Sequence, residues 1–220
     1  MCFSADADLV GGAVLTVIGV DALRHVGRRG DHVALAALPL VLALHQVDEA
    51  FVWWGLQGQV AAGVGRAAMW VYLVVAFVVL PVYVPLAVLA LEPAGRRRAT
   101  MQGFLGLGVA VSTVLLVAMV RGPVTVSLGD RHLVYGIGLP AVVWVVGLYI
   151  VATCGPLVLS GYRWLARFGA VNLVAVAVLA HLAITGFPSL WCGWAAVSAG
   201  VIALHLRYAG PSRSVAAVLS

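Results

Sequence analysis

A run of polar residues interrupts one of the most apolar stretches of the chain: His45-Gln46-Val47-Asp48-Glu49-Ala50-Phe51-Val52-Trp53-Trp54. Two adjacent carboxyl groups inside a helix in hydrocarbon are costly, and ionisable residues in such a place are functional candidates by default. His45, Glu49 and Trp53 stand at i, i+4 and i+8, so one helix face carries all three, and Asp48, at i+3 from His45, borders that face. Burial in a low dielectric disfavours the charged form of a carboxyl group, and a neutral acid held among apolar side chains is a proton donor. The chemistry this spacing points to is general-acid catalysis by Glu49, assisted by Asp48 and His45. The competing reading is structural: the two acids hold helices together or pair with Arg66.

Aromatic residues are expected at the same depth: Trp53 and Trp54, then Trp70 and Tyr72, then Trp191 and Trp194. They form either a belt at the membrane–water interface or the wall of a substrate cavity whose indole faces stabilise a carbocation by cation–π attraction. Trp194, at i+3 from Trp191, lies deeper than a belt residue should and is the strongest candidate for a lining residue. His181, about a turn from the end of its helix, is expected to approach His45 and Glu49. With His132 these would make a metal-like cluster, but none shows the H-x-x-x-H spacing of a dedicated zinc helix. A hydrogen-bonded histidine is the expected role, with no metal and no cofactor. Cys2 and Cys192 fall on the same side and are a disulfide candidate in an oxidising compartment; free buried thiols are the alternative. Cys154 falls near the opposite side.

The elements that must position these residues follow from composition. Hydrophobic residues make up 63% of the 220 and charged residues only 10%, and the mean hydropathy is +1.08. A soluble domain carries roughly 25% charged residues, so a water-soluble fold is excluded. Apolar runs at 7–25, 33–56, 67–91, 101–120, 133–153, 165–187 and 189–206 are each near the ~20 residues a helix needs to cross a bilayer. The runs show no period-2 alternation, so helices rather than a barrel are expected. Gly103-Phe104-Leu105-Gly106-Leu107-Gly108 reads as close helix packing through small residues.

All 13 basic residues are arginine. With the N-terminus outside, ten of them (Arg24, Arg28, Arg29, Arg96, Arg97, Arg98, Arg163, Arg167, Arg207 and Arg213) lie inside, and three (Arg66, Arg121 and Arg131) lie outside. That split is a positive-inside signal. The net charge of +5 sits in short loops, where it orients the chain and touches anionic lipid, and no nucleic-acid partner is expected. Met1 to Leu9 carries Asp6 and Asp8 but no basic residue, so no cleavable signal peptide is expected. The expected fold class is all-α: a single integral membrane bundle of seven transmembrane helices over 1–220, N-terminus outside and C-terminus inside, multi-pass in a bacterial inner membrane.

The opening Met1-Cys2-Phe3-Ser4-Ala5 resembles an uncharacterised family of bacterial membrane proteins that begin this way. The likeness continues through His45 to Glu49 and Trp53, Pro85 to Pro93, Gly155-Pro156-Leu157-Val158-Leu159-Ser160, and Ser189-Leu190-Trp191-Cys192, so it covers most of the chain. Relatives in that family often carry Gln where His45 stands and keep the acid, which implies Glu49 as the common element. In size, topology and acid placement the chain is also similar to small seven-helix membrane-bound terpene cyclases. These are thought to start a cation cascade by protonating an alkene or epoxide with a buried carboxyl group. That resemblance implies a membrane-embedded cyclase acting on a lipophilic prenylated substrate. Two other readings stand beside it: a metal-dependent intramembrane lipid hydrolase using His45, Glu49, His132 and His181, and a non-enzymatic scaffold or transporter.

Overall fold

A computed structural model describes residues 4–26, 30–129, 132–139, 142–182 and 187–208, with side chains except at 142, 179–182, 187–193, 195–196 and 208. The elements run α1 (Ala5–Val26), α2 (Gly30–Leu56), α3 (Ala62–Val74), a π-helical turn (Val75–Val79), α4 (Leu80–Leu91), α5 (Arg96–Arg121), β1 (Val124–Leu128), β2 (Leu133–Ile137), α6 (Val142–Val158), α7 (Arg163–Leu182) and α8 (Phe187–Tyr208). The helix α3, the π turn and α4 form one continuous rod, so the described residues make seven helical rods. Four of them (Ala5–Val26, Gly30–Leu56, Ala62–Leu91 and Arg96–Arg121) are long and apolar enough to cross a membrane.

Ser4 starts the first helix, its hydroxyl accepting the Ala7 amide at 3.2 Å in the manner of an N-cap. The helix α2 is the centre of the bundle and packs against α1, α3, α4 and α8. Its contact with α1 is close because α1 presents glycines. A Cβ on Gly12 would lie 2.7 Å from Val47 Cγ2, and one on Gly19 would lie 2.6 Å from Leu40 Cγ. At the other end of α2, Gly55 meets Gly65 of α3 almost backbone to backbone, with a Cβ on Gly55 falling 2.5 Å from Gly65 Cα.

The π turn has a cause in the sequence. Pro81 carries no N–H, so it cannot donate to the carbonyls one turn before it. The Ala76 carbonyl is met instead by the Tyr149 hydroxyl of α6 at 2.8 Å. Nearby, Ser112 of α5 donates to the Val78 carbonyl at 2.9 Å. Buried backbone acceptors need such partners, and here neighbouring helices provide them.

The glycine run on α5 does its packing at one position. A Cβ on Gly108 would run into the Pro81 carbonyl oxygen, whereas Gly103 and Gly106 have nothing within 4 Å. Gly108→Ala is therefore expected to cost about 1–3 kcal/mol, seen as a lower thermal unfolding midpoint. Gly106→Ala is the comparison, and equal midpoints for the two variants would sink this account of the α4–α5 contact.

One sequence expectation is corrected. The run 133–153 is not a single helix. Gly122 and Pro123 end α5, and the β-branched Val124, Thr125 and Val126 open an antiparallel hairpin in which Val124 pairs with Ile137 and Leu128 with Leu133. Such residues suit a pleated, half-buried surface. Gly138 follows β2, and α6 starts only at Val142 and spans 17 residues. The bundle thus has a hairpin end, where β1 and β2 lie, and an arginine end, where α1 and α8 finish and α5 and α7 begin.

Candidate functional site

At the hairpin end the polar run of α2 turns inward. His45, Gln46, Glu49 and Trp53 are all buried, and Glu49 is only 1% exposed. Asp48 is half-buried at the edge of this face. The i, i+4, i+8 spacing thus places His45, Glu49 and Trp53 on the buried side of one helix. Among the described residues, His45 Nδ1, Trp53 Nε1 and Asp48 Oδ2 are buried atoms with no hydrogen-bond partner. Such atoms cost free energy unless a ligand or water meets them.

Rings from three elements stack beside this face. The His45 imidazole lies on Tyr72 of α3 with centroids 4.0 Å apart and planes 16° from parallel. Tyr72 in turn stacks on Tyr135 of β2 at 4.5 Å and 10°. Offset stacking of this kind is worth roughly 0.5–1.5 kcal/mol beyond area burial, and it ties the hairpin to the central helix. Around the stack lies a cluster built on Trp53, Met69, Tyr72, Leu73, Met119 and Leu133, with Trp54, Trp70 and Tyr135 packed against it. Trp53 shares the helix face of Glu49, Tyr72 stacks on His45 of that face, and Trp70 packs on the same cluster.

A second carboxyl group shares the level. Asp8 of α1 is fully buried. The helices α1 and α2 are antiparallel, with Gly19 against Leu40 and Gly12 against Ala43 and Val47. Asp8, one turn before Gly12, therefore stands level with residues 47–50 of α2. The signal for it lay in the α1 pattern, where Asp8 continues the buried face of Gly12, Leu15, Gly19, Ala22 and Val26.

Trp194 takes a different place. It lies in the middle of the bundle, where its Nε1–H donates to Asn172 Oδ1 of α7 at 2.8 Å. Ser198 donates to the same oxygen at 3.0 Å. The side chains of His181, Trp191 and Cys192, and all of Cys2, lie outside the described residues, so the disulfide candidate and the His181 approach fall there too. His132 is at the hairpin turn, its Nε2 buried and without a hydrogen-bond partner among the described residues. No group of three His, Cys, Asp or Glu side chains among the described residues is arranged to hold a metal ion.

A further buried acid, Glu92, organises the arginine end. Its Oε1 accepts the Ser160 hydroxyl at 2.7 Å and the Gly161 amide at 2.6 Å. Arg98 donates to the Leu89 and Glu92 carbonyls at 3.1 and 2.9 Å, and the Tyr162 hydroxyl donates to the Leu91 carbonyl at 3.0 Å. These close the open carbonyls at the end of α4. Burial, with the negative charges of Glu92 and Asp31 nearby, pushes the Tyr162 phenol above its usual range, so it remains a donor.

A bundle of apolar helices that buries carboxyl groups beside stacked rings, under a β-hairpin, defines the class of protein. The chain belongs to the family of unknown function DUF6629, whose model matches residues 1–217. This agrees with the likeness to an uncharacterised family seen in the sequence. No curated protein and no solved structure matches the chain.

Proposed function

We propose that the chain is a membrane-embedded cyclase of seven spans, N-terminus outside and C-terminus inside, in which Glu49 protonates an alkene or epoxide of a prenylated substrate. The observation that carries this reading is the Glu49 carboxyl group, 1% exposed on a helix face it shares with His45 and Trp53. The reaction needs an acid in a place where water does not quench a cation, and a wall that tolerates positive charge. Trp53 and Trp70, in the aromatic cluster at this level, are the residues we assign to that wall, while Tyr72 is held in the stack between His45 and Tyr135.

With an alkene, the proton of Glu49 goes to one carbon and the cation develops on the other. A neighbouring double bond of the substrate attacks that cation and closes a ring. Loss of a proton from the final cation returns the acid, so substrate and product are isomers. Asp48 and His45 border the acid and assist the transfer. No metal or cofactor takes part in this scheme.

The test is direct. Membranes carrying the protein are incubated with prenylated indoles and with terminal prenyl epoxides, and products of unchanged mass and altered retention are sought. A complete lack of isomeric product from both substrate classes overturns the reading.

Sidedness is tested separately. Gln59, between α2 and α3, and Ala94, between α4 and α5, are both exposed. In intact cells a membrane-impermeant maleimide is expected to label Gln59→Cys and to leave Ala94→Cys unlabelled until the membrane is opened. The reverse pattern would place the candidate site on the cytoplasmic side.

A further inference from the structure

An open groove of about 430 Å³ runs along the outside of α5 at the hairpin end. One wall is α5 from Thr113 to Arg121; the other is Gly138 and Leu139, in the turn after β2. Ligand sites commonly measure ~300–1,000 Å³, so the groove has the size of a binding site. The inner hollow of the bundle, about 90 Å³ between α2, α4, α6, α7 and α8, does not: a cavity of ~150 Å³ holds one benzene.

The sequence makes the groove. Gly122 and Pro123 end α5, and the hairpin brings the chain back beside them. A Cβ on Gly122 would lie 3.5 Å from the Gly138 nitrogen, and one on Gly138 would lie 2.8 Å from Pro123 Cδ. The two segments thus meet with no side chain from either glycine to fill the angle between them. The Leu139 amide donates to the Ile137 carbonyl at 2.7 Å, a tight turn that sets Leu139 on the wall opposite α5.

The lining changes character along its length. Val114, Val117, Ala118 and Leu139 are apolar, and the Thr113 hydroxyl is bonded to the Val109 carbonyl at 2.8 Å. Among the described lining residues Arg121 alone carries a charge. No carboxylate among the described residues pairs with it. Arg121 ends a helix long and apolar enough to cross a membrane, so its guanidinium stands at headgroup level, where arginines near helix ends reach. Thr113 precedes it by eight residues, about 12 Å along the helix. The groove therefore runs from headgroup level into hydrocarbon, cationic at its mouth and apolar in its depth.

We propose that this groove binds an anionic phospholipid, one acyl chain laid along Val114, Val117 and Leu139 and the phosphate held by Arg121. Charge selects this occupant. The guanidinium fork matches a phosphate with two parallel N–H donors, and a headgroup without a cation of its own leaves the pair neutral. A second copy of the chain fits worse. Copies in one membrane run parallel, so symmetric pairing on this face would set two Arg121 charges side by side. The inference rests on α5 crossing the membrane and is independent of any acid chemistry at Glu49.

The full-length protein in phosphatidylcholine vesicles is given phosphatidylglycerol with a photoreactive diazirine on one acyl chain, and cross-linked residues are mapped by mass spectrometry. Cross-links are expected on both walls, at Val114 or Val117 and at Leu139. Unlabelled phosphatidylglycerol should compete for them, and inorganic phosphate should not. Arg121→Gln is expected to lower the Leu139 cross-link about five-fold, the weight of one basic residue at a lipid surface. Arg121→Lys keeps the charge and should retain most of it. Val117→Trp fills the groove from a position 42% exposed, so the fold tolerates it, and the Leu139 cross-link should vanish.

The proposal fails if a phosphatidylcholine probe of the same design labels Leu139 equally, if the signal survives Arg121→Gln or Val117→Trp, or if inorganic phosphate competes for it. It fails too if the chain forms a dimer that Val117→Trp dissociates, because a second copy would then cover this face. A protein that holds the lipid yet forms no cyclised product would refute the cyclase reading and leave the groove assignment standing.

Discussion

Glu49→Gln is expected to abolish formation of cyclised product while leaving the fold intact. Gln keeps the shape and one carbonyl oxygen of Glu, so the packing of this 1% exposed side chain survives. What it lacks is a transferable proton. Loss of a general acid costs about 10²- to 10⁴-fold in rate, or roughly 3–5 kcal/mol of barrier. The readout is product formed per unit of folded protein, with folding monitored by the thermal unfolding midpoint. Undiminished product would remove Glu49 from the role. Asp8→Asn, run alongside, separates the two buried acids: if only that variant is inactive, the proton comes from α1.

Glu92→Ala should have the largest effect on stability. The Glu92 carboxylate is 2% exposed and holds the Ser160 hydroxyl and the Gly161 amide at once. Truncation leaves both donors facing a hole. Hydrogen bonds to a charged group contribute about 1.5–3 kcal/mol each, so a total near 3 kcal/mol is expected after partial relaxation. For a chain of this size that lowers the unfolding midpoint by roughly 6–12 °C. Glu92→Gln keeps an acceptor oxygen and should lose about half as much, because charge-assisted bonds are roughly twice as strong as neutral ones. An unchanged midpoint for the Ala variant would show that the link between the α4–α5 and α6–α7 loops contributes nothing. Product formation in both variants should persist at low temperature, since Glu92 lies at the end of the bundle away from Glu49.

The helices were legible because hydrocarbon-length apolar runs bounded by Gly, Pro or Arg have few other solutions. The run at 33–56 became α2 at Gly30–Leu56, and that at 101–120 became α5 at Arg96–Arg121. The hairpin was hidden because its strands have the same Val-rich composition as α6. Leu133–Ile137 and Val142–Val158 are separated by only four residues, and hydropathy alone does not divide them. The inward face of His45, Glu49 and Trp53 followed from spacing on one helix. The stack of His45 on Tyr72 and Tyr135 did not, because it joins three elements far apart in sequence and depends on how they pack. Asp8 stands near the start of the chain, and its burial appears only once the glycine face of α1 is docked on α2. Glu92, beside Pro93, is a lone carboxyl group with no motif around it in the sequence. Its partners Ser160 and Gly161 belong to a different loop, and no local pattern joins them.

The π turn at Val75–Val79 also sets the phase of everything that follows it. Before it, Ala68, Met69, Tyr72 and Leu73 point toward the hairpin end's core; after it, Leu80, Ala87, Val88 and Leu91 are the buried positions. One extra residue turns the second half of the rod by about 100° relative to a continuous α-helix. Two compartments with different chemistry, one acidic and beside stacked aromatics, the other an uncharged hollow, are thus served by one rod keyed twice. Removing a single residue from that turn would not merely shorten the helix. It would swing Leu80, Val84 and Ala87 away from the hollow they line and leave the acidic compartment at the hairpin end as it was.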